Sequence, residues 1–360
     1  MISITDRLMK MVRTGREGNN MGLTTGLMKL DNLVYGIQRS WMTIIAGGPG
    51  SGKSSFTLFS YVYQPLKHML GDPRLKIVYF SLEMSQEVLM AKLLCMHILD
   101  HYGVSIRYSE VLSFGERLSD EKFKYIEASR KWMQEVEKHL IIFDKQTNAK
   151  GVETFIINFL KKNGEFVELS DSQVSYKSNI QNPYNIVVVD HVRLLSGKPK
   201  EEIDALCDSL VYLRNVAGLT VVLVQQINRD SQSMDRRKGG YEMIQLSDLA
   251  DSSAPAQSAE TVLALFHPSR EKLSTAGGYD VSALNDKIRL VQCLKNRFGE
   301  SDKAFGVAFY GYVGAFAELP RPDEISDYET YKDVRYYLNG DQPKVDIKIV
   351  DRNKEKIQLQ

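Results

Sequence analysis

Residues Gly47-Gly-Pro-Gly-Ser-Gly-Lys-Ser54 put Gly47, Gly52, Lys53 and Ser54 in the spacing G-x-x-x-x-G-K-[ST]. A loop of this composition bends tightly enough for successive N–H groups to converge on phosphate oxygens. The helix that follows turns its positive dipole end to the same anion. Gly47, Gly48, Pro49, Gly50, Ser51 and Gly52 would form the cradle, and Lys53 would reach the β and γ phosphates. Ser54, with Ser55 beside it, would open the helix, its hydroxyl ligating Mg²⁺. Alone, the run could be a glycine-rich turn. Its setting points to nucleotide, because Trp41-Met-Thr-Ile-Ile-Ala46 reads as a strand and Ser54 to Leu70 as a helix. The chemistry implied is binding of a nucleoside triphosphate, ATP with Mg²⁺.

Further groups could act on that triphosphate. Asp190 closes the apolar run Ile186-Val-Val-Val-Asp190, as a Walker-B carboxylate is held by a rigid strand and turned towards Mg²⁺. An aspartate there is equally an ordinary first turn residue, and the preceding phosphate loop favours the ligand. Glu83, in Ser81-Leu-Glu-Met84, follows another apolar run, where a carboxylate could polarise an attacking water; a plain acidic helix start would look the same. Gln226 ends Val221-Val-Leu-Val-Gln-Gln226, either near the γ phosphate or as a satisfied surface amide. Lys295 and Arg297, in Leu294-Lys-Asn-Arg-Phe-Gly299, are two apart, so a persisting strand would turn both to one face. They would clamp a phosphate, in trans if subunits form a ring, or form a solvated pair. His97 and His101 lack the glutamate of H-E-x-x-H and a third ligand, and read as ordinary helix residues.

The elements that must hold these side chains alternate. Apolar, β-rich runs occur at 42–46, 76–81, 139–143, 186–190, 220–226, 261–266 and 288–294, and helical patterns near 53–70, 85–101, 119–138, 150–162 and 200–217. Strands apolar on both faces between helices predict an α/β fold, a mostly parallel central sheet with helices on both faces. The late runs, including 303–311, crowd together around Gly299, Gly306 and Gly311 and predict antiparallel edge strands. Ligands of open α/β sheets bind at the carboxyl ends of strands, and the loop-like stretch 227–260, with Arg236-Arg-Lys238, leaves such an end. Ile4, Leu8, Met11 and Val12 lie at helical spacing and predict a short linker helix on a tether over 1–20, docked on a neighbouring subunit or on its own core. A core over 21–319, a polar surface insertion at 163–185 and a charged, tyrosine-rich extension at 320–360 complete the expected organisation.

With 360 residues, 43% of them apolar, the chain can bury a full core. Its 46 basic and 45 acidic residues leave a net charge of +1, so any nucleic-acid surface must be local or assembled between subunits. Cys95, Cys207 and Cys293 form no C-x-x-C pair and fit a reducing compartment. No apolar run reaches the roughly 18 residues of a membrane span. Asp6, Arg7 and Lys10 replace the apolar stretch of a leader. A soluble, unprocessed cytoplasmic protein is expected, with no membrane partner.

In order and spacing, these motifs resemble the replicative DNA helicases of the bacterial DnaB type, from about Gly22 to Glu318. The anchors are Gly22-Leu-Thr-Thr-Gly-Leu-Met-Lys-Leu-Asp31, the phosphate loop, Ser81-Leu-Glu-Met84, Val189-Asp-His191, Gln226-Ile-Asn-Arg229, Ser247-Asp-Leu249 and Lys295-Asn-Arg297. The resemblance implies a RecA-like P-loop NTPase core, with Glu83 as catalytic base and Gln226 as γ-phosphate sensor. Lys295 with Arg297 becomes the finger inserted into the next subunit's site. It also implies a homohexamer moving 5′ to 3′ on single-stranded DNA in phage-like or bacterial replication, with a primase or helicase loader as partner. The chain departs from the family in four places, one of them the extra stretch 163–185. With fewer than two dozen residues ahead of the core, the primase-binding collar is expected to be missing. His191 stands where the family has Tyr. Ala250-Asp-Ser-Ser253 replaces the Arg-Glu-Ser-Gly of the DNA loop, moving the expected DNA grip to backbone N–H groups at Ala250, Asp251 and Ser253 or to Arg236, Arg237 and Lys238.

The expected function is a ring-forming, ATP- and Mg²⁺-dependent motor on single-stranded DNA. A recombinase- or clock-like RecA relative that does not unwind is the first rival, and the Lys295–Arg297 finger speaks against it. A non-hydrolysing DNA-binding or loader module is the second, and Glu83 with Asp190 speak against that. Lys53 is the mobile cation the motif guarantees beside the triphosphate, so Lys53→Ala should abolish ATP turnover with the fold intact. Phosphate release measured beside thermal unfolding checks this; normal hydrolysis by the folded variant would remove the ATPase assignment.

Overall fold

Valine, isoleucine and leucine fill the central runs, favouring extended backbone that can be buried on both faces. The computed structural model describes residues 3–18, 20–115, 117–170, 173–228 and 243–334, so Arg236, Arg237 and Lys238 lie outside the described residues. In chain order the strands are β1 (Met42–Gly47), β2 (Leu75–Ser81), β3 (Leu140–Phe143), β4 (Gly164–Ser170), β5 (Gln173–Ser178), β6 (Tyr184–Asp190), β7 (Thr220–Gln226), β8 (Thr261–Phe266), β9 (Thr275–Ala276), β10 (Tyr279–Asp280), β11 (Ile288–Asn296), β12 (Lys303–Tyr310) and β13 (Ala315–Glu318). One nine-stranded sheet runs β13-β12-β11-β8-β1-β7-β6-β2-β3. Its segment from β8 to β3 is parallel, and β11, β12 and β13 add to β8 as antiparallel strands, as the late glycine-interrupted runs predict.

Alternation along each strand feeds two cores. One face carries Ile44, Val187, Val189 and Leu223 against helices Ala149–Asn163 and Pro199–Ala217, through Ile156, Leu206 and Leu210. The other carries Ile45, Tyr79, Val188 and Val222 against Phe56, Phe59 and Leu93. The helix after the phosphate loop runs Lys53–Thr57, then a π-helical segment Leu58–Tyr63, then Gln64–Met69. The widened turn lies directly before Pro65, whose missing N–H and ring disturb the regular ladder.

One stretch differs from its sequence reading. The 119–138 pattern is two helices, Asp120–Ala128 and Arg130–His139, because Ser129 between them donates its hydroxyl to the Tyr125 carbonyl and competes with the ladder. The polar stretch 163–185 contains the antiparallel hairpin β4–β5, with Phe166 packed on Tyr176 at 5.3 Å between ring centroids. Of the expected 320–360 extension, residues 335–360 lie outside the described residues, and the stretch up to Val334 continues along the core. Tyr328 Oη accepts the Asp280 N–H, Tyr310 Oη donates to the Tyr331 carbonyl, and Val334 is buried. Helix Ile4–Arg16 buries none of its residues. Among the described residues no helix is long and apolar enough to cross a membrane.

Phe316 on β13 stacks on Phe309 at 4.4 Å and meets Phe56 edge-on at 5.4 Å, tying the antiparallel edge to the phosphate-loop helix. Phe316→Ala should lower unfolding free energy by roughly 3–5 kcal/mol in urea denaturation. A loss below about 1 kcal/mol would mean that this edge does not share the core.

Candidate nucleotide site

The phosphate loop leaves the end of β1 and enters its helix through two residues in left-handed conformation, Gly50 at φ 71° and Gly52 at φ 97°. A Cβ on Gly47 would come within 2.7 Å of the Leu265 carbonyl and Ser51 Oγ, so the loop closes only around glycine. The Ser51 N–H donates to the Gly48 carbonyl at 3.2 Å. Ser51 Oγ is buried without a partner among the described residues, an orphan that a phosphate oxygen would satisfy. Lys53 is 7% exposed and donates from Nζ to the Gly48 carbonyl at 3.0 Å, folded onto its own loop. Burial pulls its pKa down, while the charges of Asp190 and Glu83 push it up and that of Arg270 pushes it down.

Asp190 ends β6 at 1% exposure. Its Oδ1 accepts from Ser54 Oγ at 3.0 Å, and its Oδ2 from the buried Tyr79 hydroxyl at 2.7 Å. Burial raises the Asp190 pKa, and the Tyr79 and Ser54 hydrogen bonds lower it. A hydroxyl and a carboxylate oxygen side by side, next to a phosphate cradle, are the hard-oxygen donors that suit Mg²⁺. Register brings the next carboxylate close. Ser81 pairs with Asp190, and the Leu82 N–H donates to the Asp190 carbonyl at 2.9 Å, which sets the exposed Glu83 at the same edge. The Glu83 charge is felt at Lys53, Asp190 and His191.

Gln226 pairs with Gly47 across β1 and β7, and its Nε2 lies 3.3 Å from Nε2 of buried His191. Behind it, β7 holds the start of the expected DNA loop. The Ala250 N–H donates to the Gln226 carbonyl at 3.0 Å, and Gln225 Nε2 donates to the Ala250 and Ser252 carbonyls at 2.7 and 3.0 Å. Ala250 is buried with its N–H engaged. Asp251, at φ 68°, pairs with Arg193 at 3.6 Å, and Ser253 is exposed.

Lys295 and Arg297 lie at the opposite edge of the sheet. β11 runs antiparallel to β8, so Asn296 sits beside Thr261, where β8 begins, with a bulge between Cys293 and Lys295. From Met42 to Gly47 the sheet is about 16 Å deep, at roughly 3.3 Å per residue. Both cations have partners, and Arg297 remains exposed. Lys295 Nζ donates to the Ala256 and Gln257 carbonyls at 2.7 and 3.0 Å, and Arg297 Nη1 meets Glu260 Oε1 at 3.0 Å.

Sequence reading missed four residues here. Arg270 donates to the Pro49 carbonyl, and Arg289 Nε to the Ser51 carbonyl at 2.8 Å, so two cations from beyond β8 hold the loop. Tyr79 and Gln225 are the others. Arg289 left a signal, a charge inside the apolar run 288–294, since a buried cation needs acceptors. The rest depend on cross-strand register.

Glycine loop, helix start, strand-end carboxylates and their shared edge define a P-loop domain of RecA-like architecture. Residues 22–318 match the family described as DnaB-like helicase C terminal domain, and the chain belongs to that family. Among curated relatives, the replicative DNA helicase DnaB of Rickettsia prowazekii (strain Madrid E) is 25% identical over 278 residues, covering 74% of this chain and 50% of that protein. The replicative DNA helicase DnaB of Helicobacter pylori is 24% identical over 250 residues, covering 68% and 43%. The chain thus spans about half the length of the curated relatives it matches. Among solved structures, a separately solved ATPase domain superposes with TM-score 0.67 at 19% identity, over 88% of this chain and 99% of that one. A DnaB-like replicative helicase described with its interactions with primase superposes with TM-score 0.65 at 20% identity, over 89% and 68%.

Tyr79→Phe removes one donor from the buried Asp190 carboxylate and changes nothing else in shape. It should raise the Mg²⁺ concentration for half-maximal turnover about fivefold, the equivalent of one hydrogen bond of ~1 kcal/mol, while Mg²⁺-free nucleotide binding stays put. An unchanged Mg²⁺ dependence would reduce Tyr79 to core filler.

Proposed function

We propose that this chain is the motor domain of a ring-forming replicative DNA helicase that couples hydrolysis of ATP with Mg²⁺ to 5′ to 3′ movement on single-stranded DNA. The phosphate loop binds the triphosphate, with Lys53 turning from the Gly48 carbonyl to the β and γ phosphates. Ser54 and Asp190 are the residues to hold Mg²⁺, which when bound neutralises charge on the phosphate oxygens. Glu83 takes a proton from the water that attacks the γ phosphorus, the bond to the β–γ bridging oxygen breaks, and ADP and phosphate leave. Gln226 senses the γ phosphate, and its carbonyl bond to Ala250 passes that state to the loop that grips DNA at Asp251, Ser253 and Arg236 to Lys238.

One observation carries the shared-site part of this reading: Arg297 stands at the amino edge of the parallel strands, a sheet's depth from its own phosphate loop. An arginine so placed serves a neighbour's γ phosphate. The exposed apolar residues Ile4, Leu8 and Met11 of the first helix suit docking on that neighbour, within the 1–20 linker ahead of the 21–319 motor core. A primase or helicase loader belongs to the same reading as the partner of the assembled ring.

A finger arginine contributes on the order of 10³ to 10⁵ in rate, with little effect on substrate binding. Arg297→Ala should therefore lose turnover but bind nucleotide and assemble, and Glu83→Gln should fail at its own water. Mixed rings of the two should regain ATPase, because some interfaces pair an intact Glu83 with an intact Arg297. Recovery is read by phosphate release with subunit exchange checked by sizing, beside unwinding of a forked duplex by wild type. No recovery at any ratio would overturn the shared site, and no DNA-stimulated turnover would overturn the helicase.

A further inference from the structure

Glu260 is the residue just before β8, and its side chain is 6% exposed. A carboxylate buried to this degree must be fully hydrogen-bonded. Its Oε2 accepts the Met42 N–H at 2.7 Å and Arg214 Nη1 at 2.8 Å, and its Oε1 accepts Arg214 Nη1 at 3.1 Å and Arg297 Nη1 at 3.0 Å. The backbone repeats the tie. The Glu260 N–H donates to the Met42 carbonyl at 3.0 Å, and the Arg297 N–H donates to the Glu260 carbonyl at 2.9 Å.

The two arginines differ in setting. Arg214, on helix Pro199–Ala217, has a side chain 10% exposed, whereas that of Arg297 is 47% exposed. Arg214 balances the buried carboxylate, and Lys295, bonded to the Ala256 and Gln257 carbonyls, adds a third cation to the group. Positive charge therefore exceeds negative here, and the excess lies outermost, on Arg297. A guanidinium anchored at one nitrogen, with charge left over for an anion, is preorganised rather than cancelled.

We infer that Glu260 is a positioning residue for the neighbouring subunit's hydrolytic site, holding Arg297 at the angle from which it reaches the γ phosphate across the interface. This rests on the shared-site reading of Arg297 given above. Glu260 also ends the segment that begins at Ala250, so a shift of the DNA-facing stretch reaches the finger through three bonds: Lys295 to the Ala256 and Gln257 carbonyls, and Arg297 to Glu260.

In the full chain with ATP and single-stranded DNA, Glu260→Gln should lower kcat about 10- to 100-fold, the range produced by misplacing a catalytic group by an ångström. Nucleotide affinity and assembly size should not change. Combined with Arg297→Ala, it should cost nothing beyond Arg297→Ala alone, because no finger is left to position. Mixed with Lys53→Ala protein under subunit exchange, Glu260→Gln protein should regain turnover, its own phosphate loop now receiving a well-held finger. Glu260→Asp keeps the charge against Arg214 and shortens the reach to Arg297. It should fall between the two, and it carries the same tests if the glutamine variant does not fold. A folded Glu260 variant with wild-type kcat, or a double variant clearly slower than Arg297→Ala, overturns the inference. If Arg297→Ala itself keeps turnover or is not rescued in mixed rings, the shared-site reading falls instead.

Discussion

A strand paired in parallel on both sides can slip by one residue only by turning every side chain to the opposite face. β1 and β6 are such strands, buried along their whole length, so their registers hold Gly47 opposite Gln226 and Ser81 opposite Asp190. The nucleotide site inherits its geometry from that lock. Loop, carboxylates and amide come from four separate places in the chain and meet because four strands end on one line.

The loop's charge balance follows from what its cations bond to. Lys53, Arg270 and Arg289 each donate to a loop carbonyl, Gly48, Pro49 and Ser51 in turn. Neutral acceptors satisfy the donors without cancelling the charge, so the cradle keeps a positive field for an anion. The cost appears in the protonation equilibria: burial lowers Lys53 and brings Arg289 down to about 10. A bound triphosphate would bring negative charge to these cations and raise their proton affinity again.

The same sheet separates two groups of side chains by its depth. The carboxyl ends hold the phosphate loop, Asp190 and Gln226, and the amino ends hold Arg297 and Glu260, where β1 and β8 begin. One short segment, 250–260, reaches both. Its first residues are bonded to Gln225 and Gln226 and its last to Lys295 and Arg297, so the two ends of the sheet are linked without crossing the core.

What depends on neighbours along the chain was legible in the residues alone. Branched apolar runs and 3.6-residue periodicity outlined the parallel sheet, its helices and its antiparallel edge, and loop composition with strand ends marked Lys53, Ser54, Glu83, Asp190 and Gln226. Ser129 hid a helix break inside an otherwise continuous pattern, since its hydroxyl bond to Tyr125 competes with helix only locally. Tertiary structure alone decided the partners of buried polar groups. Tyr79 reaches Asp190 because β2 and β6 are in register, and Glu260 gathers Met42, Arg214 and Arg297 from three distant stretches. Burial removes water as an alternative partner, so such bonds are selected by the packed arrangement of the whole sheet, which no local pattern of residues encodes.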